Sequence, residues 1–274
     1  MITFSSELLQ SWVLGLLLPL IRILSFISMA PVFSHSGLPQ PIKMAIGFLL
    51  TVTVMPTLPT LPIIDPLSWQ GGLVISQQIL IGVAMGLMVR IIFSGIEMAG
   101  QISGMTMGLG FASFFDPQTQ GSTVAISQFF GILAMLVFLS MDGHLLLIVS
   151  IAESFYTLPI SLDGIGLDPM QIALWGGKIF SIGLQLSLPI IAALLITNIA
   201  LGILTRSAPQ LNIFGIGFPI TIGVGFLTLI LILPEMAQPY RHFIEEGISA
   251  THLNRMHASD KPTLNNNGIN SRRE

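Results

Sequence analysis

The sequence predicts an all-α protein of the integral membrane type, built from kinked helical hairpins. Only 8% of its 274 residues are charged, against about a quarter in a typical soluble protein, and its mean hydropathy is +0.85. Six apolar stretches approach or exceed the roughly 20 residues that a membrane-spanning helix needs. They lie at about 8–33, 42–64, 72–93, 125–151, 171–205 and 213–234. This composition argues strongly against a soluble enzyme.

The composition also excludes several kinds of chemistry. The chain has no cysteine, and with ten Lys and Arg residues and a net charge of −3 it lacks the basic face that nucleic-acid binding requires. Gly177-Lys178 is followed by Ile179, so the chain has no phosphate-binding loop. Its five histidines show no ligand spacing, and no serine lies in a nucleophile elbow. We therefore expect no enzymatic activity, no metal and no cofactor.

The apolar stretches are interrupted by residues that are unusual in spanning helices. The first is expected to be retained rather than cleaved, because Glu7 stands where a signal peptide would be basic and Arg22 interrupts the apolar run. Prolines inside apolar stretches favour kinks, and these are Pro19, Pro56, Pro189 and Pro219. The stretch 171–205 exceeds one straight crossing, and we expect Pro189 to divide it.

A glycine ladder follows the third stretch and leads into an aromatic cluster. The ladder consists of Gly100, Gly104 and Gly108, which would share one helical face and let a neighbouring backbone approach closely. Pro117 biases Asp116 away from helical geometry, so the helix is expected to end there. Between these points lie the flexible, small and aromatic residues Met105, Met107, Gly110, Phe111, Phe114 and Phe115. Such side chains can close a passage, but plain core packing explains their spacing equally well.

A short polar turn separates the last two apolar stretches and predicts a helical hairpin from about 171 to 234. Arg206, Gln210 and Asn212 in this turn could contact a partner at one membrane face. A solvated hairpin tip with a helix cap is at least as good an explanation. After Pro234 the chain becomes polar, which predicts a tail that is mobile beyond about residue 255.

Four ionisable residues lie within or beside the apolar stretches: Arg22, Glu97, Asp142 and Lys178. Charge at membrane depth is costly, so such groups usually face protein or water and pair. One interpretation is a proton or ion relay. We favour pairing between subunits or snorkelling at helix ends, because the acids are too dispersed to form a relay.

At these features the chain resembles the FliR/SctT family of type III protein export gates, almost from end to end. The similarity begins at Arg22 and Ala30-Pro31-Val32-Phe33 and continues to Pro234. Its further motifs are Gln77-Gln78-Ile79-Leu80-Ile81-Gly82, Met107-Gly108-Leu109, Asp116-Pro117, Gly143-His144 and Arg206 to Pro219. Each motif is weak alone but specific in this order. Phe111-Ala112-Ser113-Phe114 before Asp116-Pro117 is more similar to the flagellar than to the injectisome branch.

The resemblance implies a pore subunit of the flagellar export gate, within the basal body of the bacterial inner membrane. Its implied partners are five FliP and four FliQ subunits, FlhB at the cytoplasmic entrance, membrane lipid and unfolded flagellar export substrates. It further implies a FliP-like region at 1–170, a FliQ-like hairpin at 171–240 and a polar tail at 241–274.

The resemblance also assigns roles to the two distinctive segments. A plug loop falls at about 106–122, with Phe111 and Phe114 as plugging aromatics, beside which we place Phe115, Met105 and Met107. Its geometry would depend on Gly108, Gly110, Asp116 and Pro117. Arg206 to Phe214 would face the cytoplasmic entrance near FlhB. The alternatives are the equivalent injectisome subunit, a small-solute secondary transporter with broken helices, and a scaffold in which another subunit forms the gate.

Overall fold

The computed structural model describes residues 6–34, 37–58, 65, 68–111, 121–161, 168–208 and 213–252, and every regular element in these ranges is helical. The helices are α1 (Ser6–Met29), α2 (Pro31–Ser34), α3 (Gln40–Val54), α4 (Trp69–Thr106), α5 (Gly121–Ser140), α6 (Gly143–Thr157), α7 (Pro169–Trp175), α8 (Lys178–Ser207), α9 (Ile213–Ile232) and α10 (Ala237–Ala250). Short 3-10 turns lie at Met55–Thr57, Leu109–Phe111 and Leu233–Met236. The predicted all-α class is confirmed.

Helix α4 is the central element, and α1, α5, α8 and α10 all pack against it. It begins at an N-cap, where the Ser68 hydroxyl accepts a hydrogen bond from the Gly71 amide at 3.1 Å. Its 38 residues extend beyond the apolar stretch that predicted it and carry Arg90 and Glu97. Because α4 is surrounded on most sides, two-thirds of its apolar window is buried within the chain.

Three helical segments are long and apolar enough to cross a membrane: Trp69–Thr106, Pro169–Ser207 and Gly215–Ala250. A fourth crossing arises if Ala125–Ser140 and Gly143–Thr157 count as one span broken by a 70° bend. The six predicted stretches therefore do not correspond to six spanning helices among the described residues. In the second stretch, α3 ends after 15 residues at Val54, just before Pro56 in the following 3-10 turn.

One predicted helix interruption lies elsewhere, and one interruption was not predicted. Pro189 is inside the continuous helix α8, and that stretch is interrupted instead at Gly176 and Gly177, between α7 and α8. Asp142 interrupts the fourth stretch, where its φ of 54° lies in the left-handed region. Left-handed geometry at a residue with a Cβ is unfavourable, but Asp is among the residue types that tolerate it.

Helices α7 and α8 run parallel to α4, whereas α9 and α10 return antiparallel to it. The Trp175 indole donates to the Met88 carbonyl at 3.1 Å, and Gly247 of α10 packs on Ile92 of α4. At the same end, the Lys178 ammonium lies 2.5 Å from the Glu246 carboxylate. Residues 241–250, which composition places in the polar tail, thus belong to an amphipathic helix docked on the core. The part of the tail beyond 252 lies outside the described residues.

Candidate functional site

Helix α4 ends at Thr106, ten residues before the Asp116-Pro117 pair that was predicted to end it. Gly108 follows the end of the helix with a φ of 88°, a geometry that glycine adopts without steric cost. The Gly108 amide donates to the Met105 carbonyl at 3.0 Å. The prediction that the helix continues through Phe111 is therefore wrong, because Gly108 has already redirected the chain.

Met107 fixes this turn to the antiparallel helix α9. Its side chain is fully buried and occupies the space beside Gly225, where an added Cβ would lie 2.5 Å from Met107 Cγ. The Thr221 hydroxyl donates to the Met107 carbonyl at 3.2 Å. The ring of Phe218 covers Gly108, whose added Cβ would lie 3.1 Å from Phe218 Cδ1. About two turns of α9, from Phe218 to Gly225, thus immobilise the root of the segment that carries the aromatic cluster.

An apolar cleft of about 400 Å³ lies beside this root. Leu109 bounds it on one side, Ala125 and Phe129 of α5 on another, and Phe226 of α9 on a third. Both ends of the segment that leaves α4 and enters α5 therefore border one apolar space. Aromatic or methionine side chains could fill it, since such residues pack well in apolar clefts.

The predicted plug residues differ in their placement. Met105 is 61% exposed, whereas Met107 is buried as the anchor. Phe111 ends the 3-10 turn, and its side chain lies outside the described part. Phe114, Phe115, Asp116 and Pro117 also lie outside the described residues. Two ladder glycines make close interhelical contacts: Gly108 with Phe218, as above, and Gly100, whose added Cβ would lie 2.6 Å from Ser127 Cα of α5. Gly104 is buried in α4, and Gly110 has open space around its Cα.

The hairpin formed by α8 and α9 extends well beyond the end of α4. Leu194 is the last buried residue of α8, and the 13 residues from there to Ser207 correspond to about 20 Å of helix. Along this part Ile196 and Ile203 are largely exposed, and Arg206 is exposed in the last turn. Gln210 and Asn212 lie outside the described residues, as does the side chain of Phe214. The tip is therefore a projecting, mostly apolar two-helix arm.

Arg22 forms a buried node that joins α1, α4 and α6. Its Nε donates to Gln78 Oε1 at 2.7 Å, and its two terminal nitrogens donate to the carbonyls of Ser154 and Leu158, each at 2.9 Å. The guanidinium also lies 4.3 Å from the centre of the Phe155 ring. These carbonyls belong to the C-terminal end of α6, where a cation offsets the partial negative charge.

The interpretation favoured from sequence, pairing between subunits or snorkelling at helix ends, is therefore wrong for Arg22, which is buried and paired within the chain. Lys178 lies at the start of α8, where its partly exposed side chain pairs with Glu246 of the same chain. Sequence reasoning singled out Arg22 but missed Gln78 and Ser154 as its partners, because nothing local in the sequence connects positions 56 and 132 residues apart.

Among the described residues, no group of three His, Cys, Asp or Glu side chains is arranged to hold a metal ion. The arrangement consists of apolar spanning-length helices, a loop root locked by packing and a projecting hairpin. These features define a helical protein of the membrane.

Sequence comparison then identifies the family. Residues 13–247 match the family described as "Bacterial export proteins, family 1", and the chain belongs to it. It is 46% identical to the flagellar biosynthetic protein FliR of Pectobacterium carotovorum over 90% of this chain and 94% of that one. Identity is 37% with the FliR of Escherichia coli K12 over the same shares, and 36% with that of Buchnera aphidicola from Acyrthosiphon pisum over 94% of this chain and all of that one.

This membership places the chain in the flagellar export apparatus, in the inner membrane at the basal body. Its part in flagellar type III export is structural, and the resemblance noted from the sequence motifs is confirmed.

Proposed function

We propose that this chain is a core subunit of the flagellar export gate that joins FliP-like and FliQ-like subunits to form a pore for unfolded flagellar proteins. Five FliP-like subunits and four FliQ-like subunits complete the assembly. Residues 1–170 form the FliP-like part, 171–240 the FliQ-like hairpin and 241–274 the C-terminal segment, which begins within helix α10. The hairpin tip with Arg206, Gln210, Asn212 and Phe214 contacts FlhB at the cytoplasmic entrance.

Within that pore, the segment 106–122 acts as a plug. The observation that carries this role is the locked root: Met107 is buried beside Gly225 and its carbonyl accepts from Thr221. A side chain can occlude a pore only if its backbone is held against the force of passing cargo. The anchored root supplies that support directly before Phe111. Phe114 and Phe115 follow three and four residues later in the sequence.

The two methionines contribute differently to this plug. Met105, which is exposed, faces the conduit together with the aromatic rings, and its flexible thioether adapts to neighbouring side chains. Met107 holds the root. Gly108 provides the redirection, since its left-handed geometry lets the chain leave the axis of α4 without strain. Gly110, Asp116 and Pro117 set the shape of the loop.

The projecting hairpin arm supports the assembly role. The exposed apolar face of the arm continues beyond the part of the chain that packs against it. This is expected of a subunit that buries the uncovered apolar face against helices of other subunits. A chain that worked alone in the bilayer would need its hydrophobic length to match the membrane. The arm extends past the end of the central helix α4, so the hydrophobic parts of the chain do not share one length.

The experiment combines co-expression with a permeability assay. The chain is co-expressed with FliP-like and FliQ-like subunits, and the purified complex is reconstituted into vesicles loaded with a small fluorescent dye. Phe111, Phe114 and Phe115 are changed together to Ala, and Phe180→Ala, an exposed aromatic of α8, is the matched control. We expect the triple variant to assemble normally but to release dye at least about tenfold faster than the wild type and the control.

Two outcomes contradict the proposal separately. An intact complex whose triple variant retains dye as well as the wild type would refute the plug. Small-solute transport by the purified single chain, without other subunits, would refute the gate function and support the secondary transporter.

A further inference from the structure

A polar groove runs along the outside of the core between α4 and α5, with α2 at one end. It has a volume of about 550 Å³. Arg90 and Glu97 line it from α4, Gln128 and Gly131 line it from α5, and Ser34 lines it from α2. Arg90 and Glu97 are seven residues apart, so their side chains leave one helical face about 10 Å from each other.

Arg90 and Glu97 attract each other electrostatically along α4, but neither forms a salt bridge within the described chain. The salt bridges of the described residues join Lys178 to Glu246 and His252 to Glu153, and neither involves Arg90 or Glu97. Both groove charges are exposed, and they lie on α4, a helix long and apolar enough to cross a membrane. When lipid or another protein covers this groove and displaces its water, the Arg90 guanidinium and the Glu97 carboxylate need new hydrogen-bonding partners.

The groove is held open by close packing beneath it. The Ser127 hydroxyl donates to the Glu97 carbonyl at 2.9 Å, and Gly100 brings the α5 backbone against α4 one turn further on. Gly131 leaves room for the Glu97 carboxylate, since an added Cβ would lie 3.1 Å from Glu97 Oε1. The floor is therefore rigid, because the space beside its small residues is already filled by the α5 backbone and by the Glu97 side chain.

The rim of the groove is apolar and exposed. Ile132 and Leu136, one turn apart on α5, are 60% and 58% exposed. The groove is about two helical turns long, and its exposed apolar rim offers the kind of surface against which the apolar face of another helix packs. Acyl chains would satisfy the rim but would leave both charges without partners.

We propose that this groove receives an apolar helix of a neighbouring gate subunit that carries an acidic side chain opposite Arg90 and a basic side chain opposite Glu97, about two turns apart. This inference rests on the proposed function, since it requires the multi-subunit gate. The complementary charges fix the register of the two helices, because a shift by one turn separates both pairs. The groove thereby selects the neighbour and the height at which it binds.

Charge reversal tests the inference in the complete assembly. Arg90→Glu and Glu97→Lys are each co-expressed with the FliP-like and FliQ-like subunits, and subunit recovery is measured after affinity purification of this chain. Arg241→Glu and Glu245→Lys are the matched controls, since both positions are exposed on α10 away from the groove. We expect each groove variant to lose roughly tenfold or more of one subunit type, with the controls at wild-type recovery.

Two further measurements keep the result independent of folding. The thermal midpoint of each purified variant alone should equal that of the wild type, because both groove charges are exposed. A photo-crosslinking residue at Ile132 or Leu136 should label the subunit whose recovery falls in Arg90→Glu and Glu97→Lys.

The outcomes separate the groove from the proposed function. A wild-type chain that recovers neither subunit overturns both. Normal recovery in the groove variants, with the wild-type complex intact, overturns the groove alone. Crosslinks only to phospholipid or to a second copy of this chain also overturn it.

Discussion

The hydroxyl of Thr221 on α9 lies 3.2 Å from the carbonyl oxygen of Met107, 114 residues earlier in the chain. The same hydroxyl is 3.0 Å from the Phe218 carbonyl of its own helix. This side chain therefore joins the end of the central helix to the returning arm of the hairpin. The position of the segment that follows α4 is therefore coupled to the position of the α8–α9 hairpin. The coupling runs through the Thr221 hydroxyl and through the neighbouring contact of Met107 with Gly225.

The first prediction concerns the space that Gly225 provides. Gly225→Leu should expel Met107 and destabilise the chain by about 1–3 kcal/mol, because the new side chain overlaps the buried methionine. Gly223→Leu is the control on the same helix, since an added Cβ there meets nothing within 4 Å. Thermal unfolding in detergent measures both. Equal midpoints for the two variants would show that Met107 is not anchored by Gly225.

The second prediction concerns the contact of α1 with α4. An added Cβ at Gly82 would lie 2.3 Å from the Arg22 carbonyl oxygen, which is backbone and cannot move aside cheaply. Gly82→Ala should therefore lower the thermal midpoint, by an amount corresponding to about 1–3 kcal/mol. Gly72→Ala, in open space on the same helix, should leave stability unchanged or raise it by up to about 1 kcal/mol. A Gly82→Ala variant as stable as Gly72→Ala would disprove the close approach.

The third prediction tests the buried Arg22 node. A lysine has one ammonium group and cannot reach Gln78, Ser154 and Leu158 with the fork geometry of the guanidinium. Arg22→Lys should leave buried carbonyls unpaired and cost about 2–5 kcal/mol of stability. Arg241→Lys, at an exposed position of α10, is the control and should cost less than about 0.5 kcal/mol. If both variants unfold at the wild-type temperature, the node does not stabilise the fold.

These examples also show how far the sequence could predict the fold. Hydrophobic length and low charge correctly indicated long apolar helices, and the polar turn near Arg206 correctly indicated a hairpin. The end of α4 was misplaced because Pro117 was taken as the terminator. Gly108 ends the helix earlier by adopting a left-handed geometry. The glycine spacing in the sequence predicts Gly108 as part of a helical ladder, where this geometry is not needed.

The candidate site was predictable only in its local parts. The aromatic cluster stands out in the sequence, but its anchor depends on Gly225 and Thr221, more than 100 residues away. Likewise Pro189 was expected to break α8, yet the helix continues through it, because packing on α4 outweighs the loss of one hydrogen bond. Long-range packing leaves no periodic signal in a single sequence.

The last prediction concerns the ion pair that closes the hairpin at the end opposite its tip. Lys178 lies at the start of α8 and Glu246 near the end of α10, 2.5 Å apart, and the ammonium is also 5.6 Å from the centre of the Trp175 ring. Both side chains are about one-third exposed, so solvent weakens the pair. Lys178→Glu should cost up to about 1 kcal/mol through repulsion of Glu246 and loss of the ring contact.

The swap Lys178→Glu with Glu246→Lys separates these two contributions. It restores the ion pair in reverse but places a carboxylate beside Trp175, so it should recover part, not all, of the lost stability. Each single variant and the swap are compared by thermal unfolding in low and high salt, and the difference should shrink in high salt because exposed charges are screened. A swap no more stable than Lys178→Glu alone would mean that the two side chains do not interact, and that the hairpin is held at this end by the packing of Gly247 on Ile92 instead.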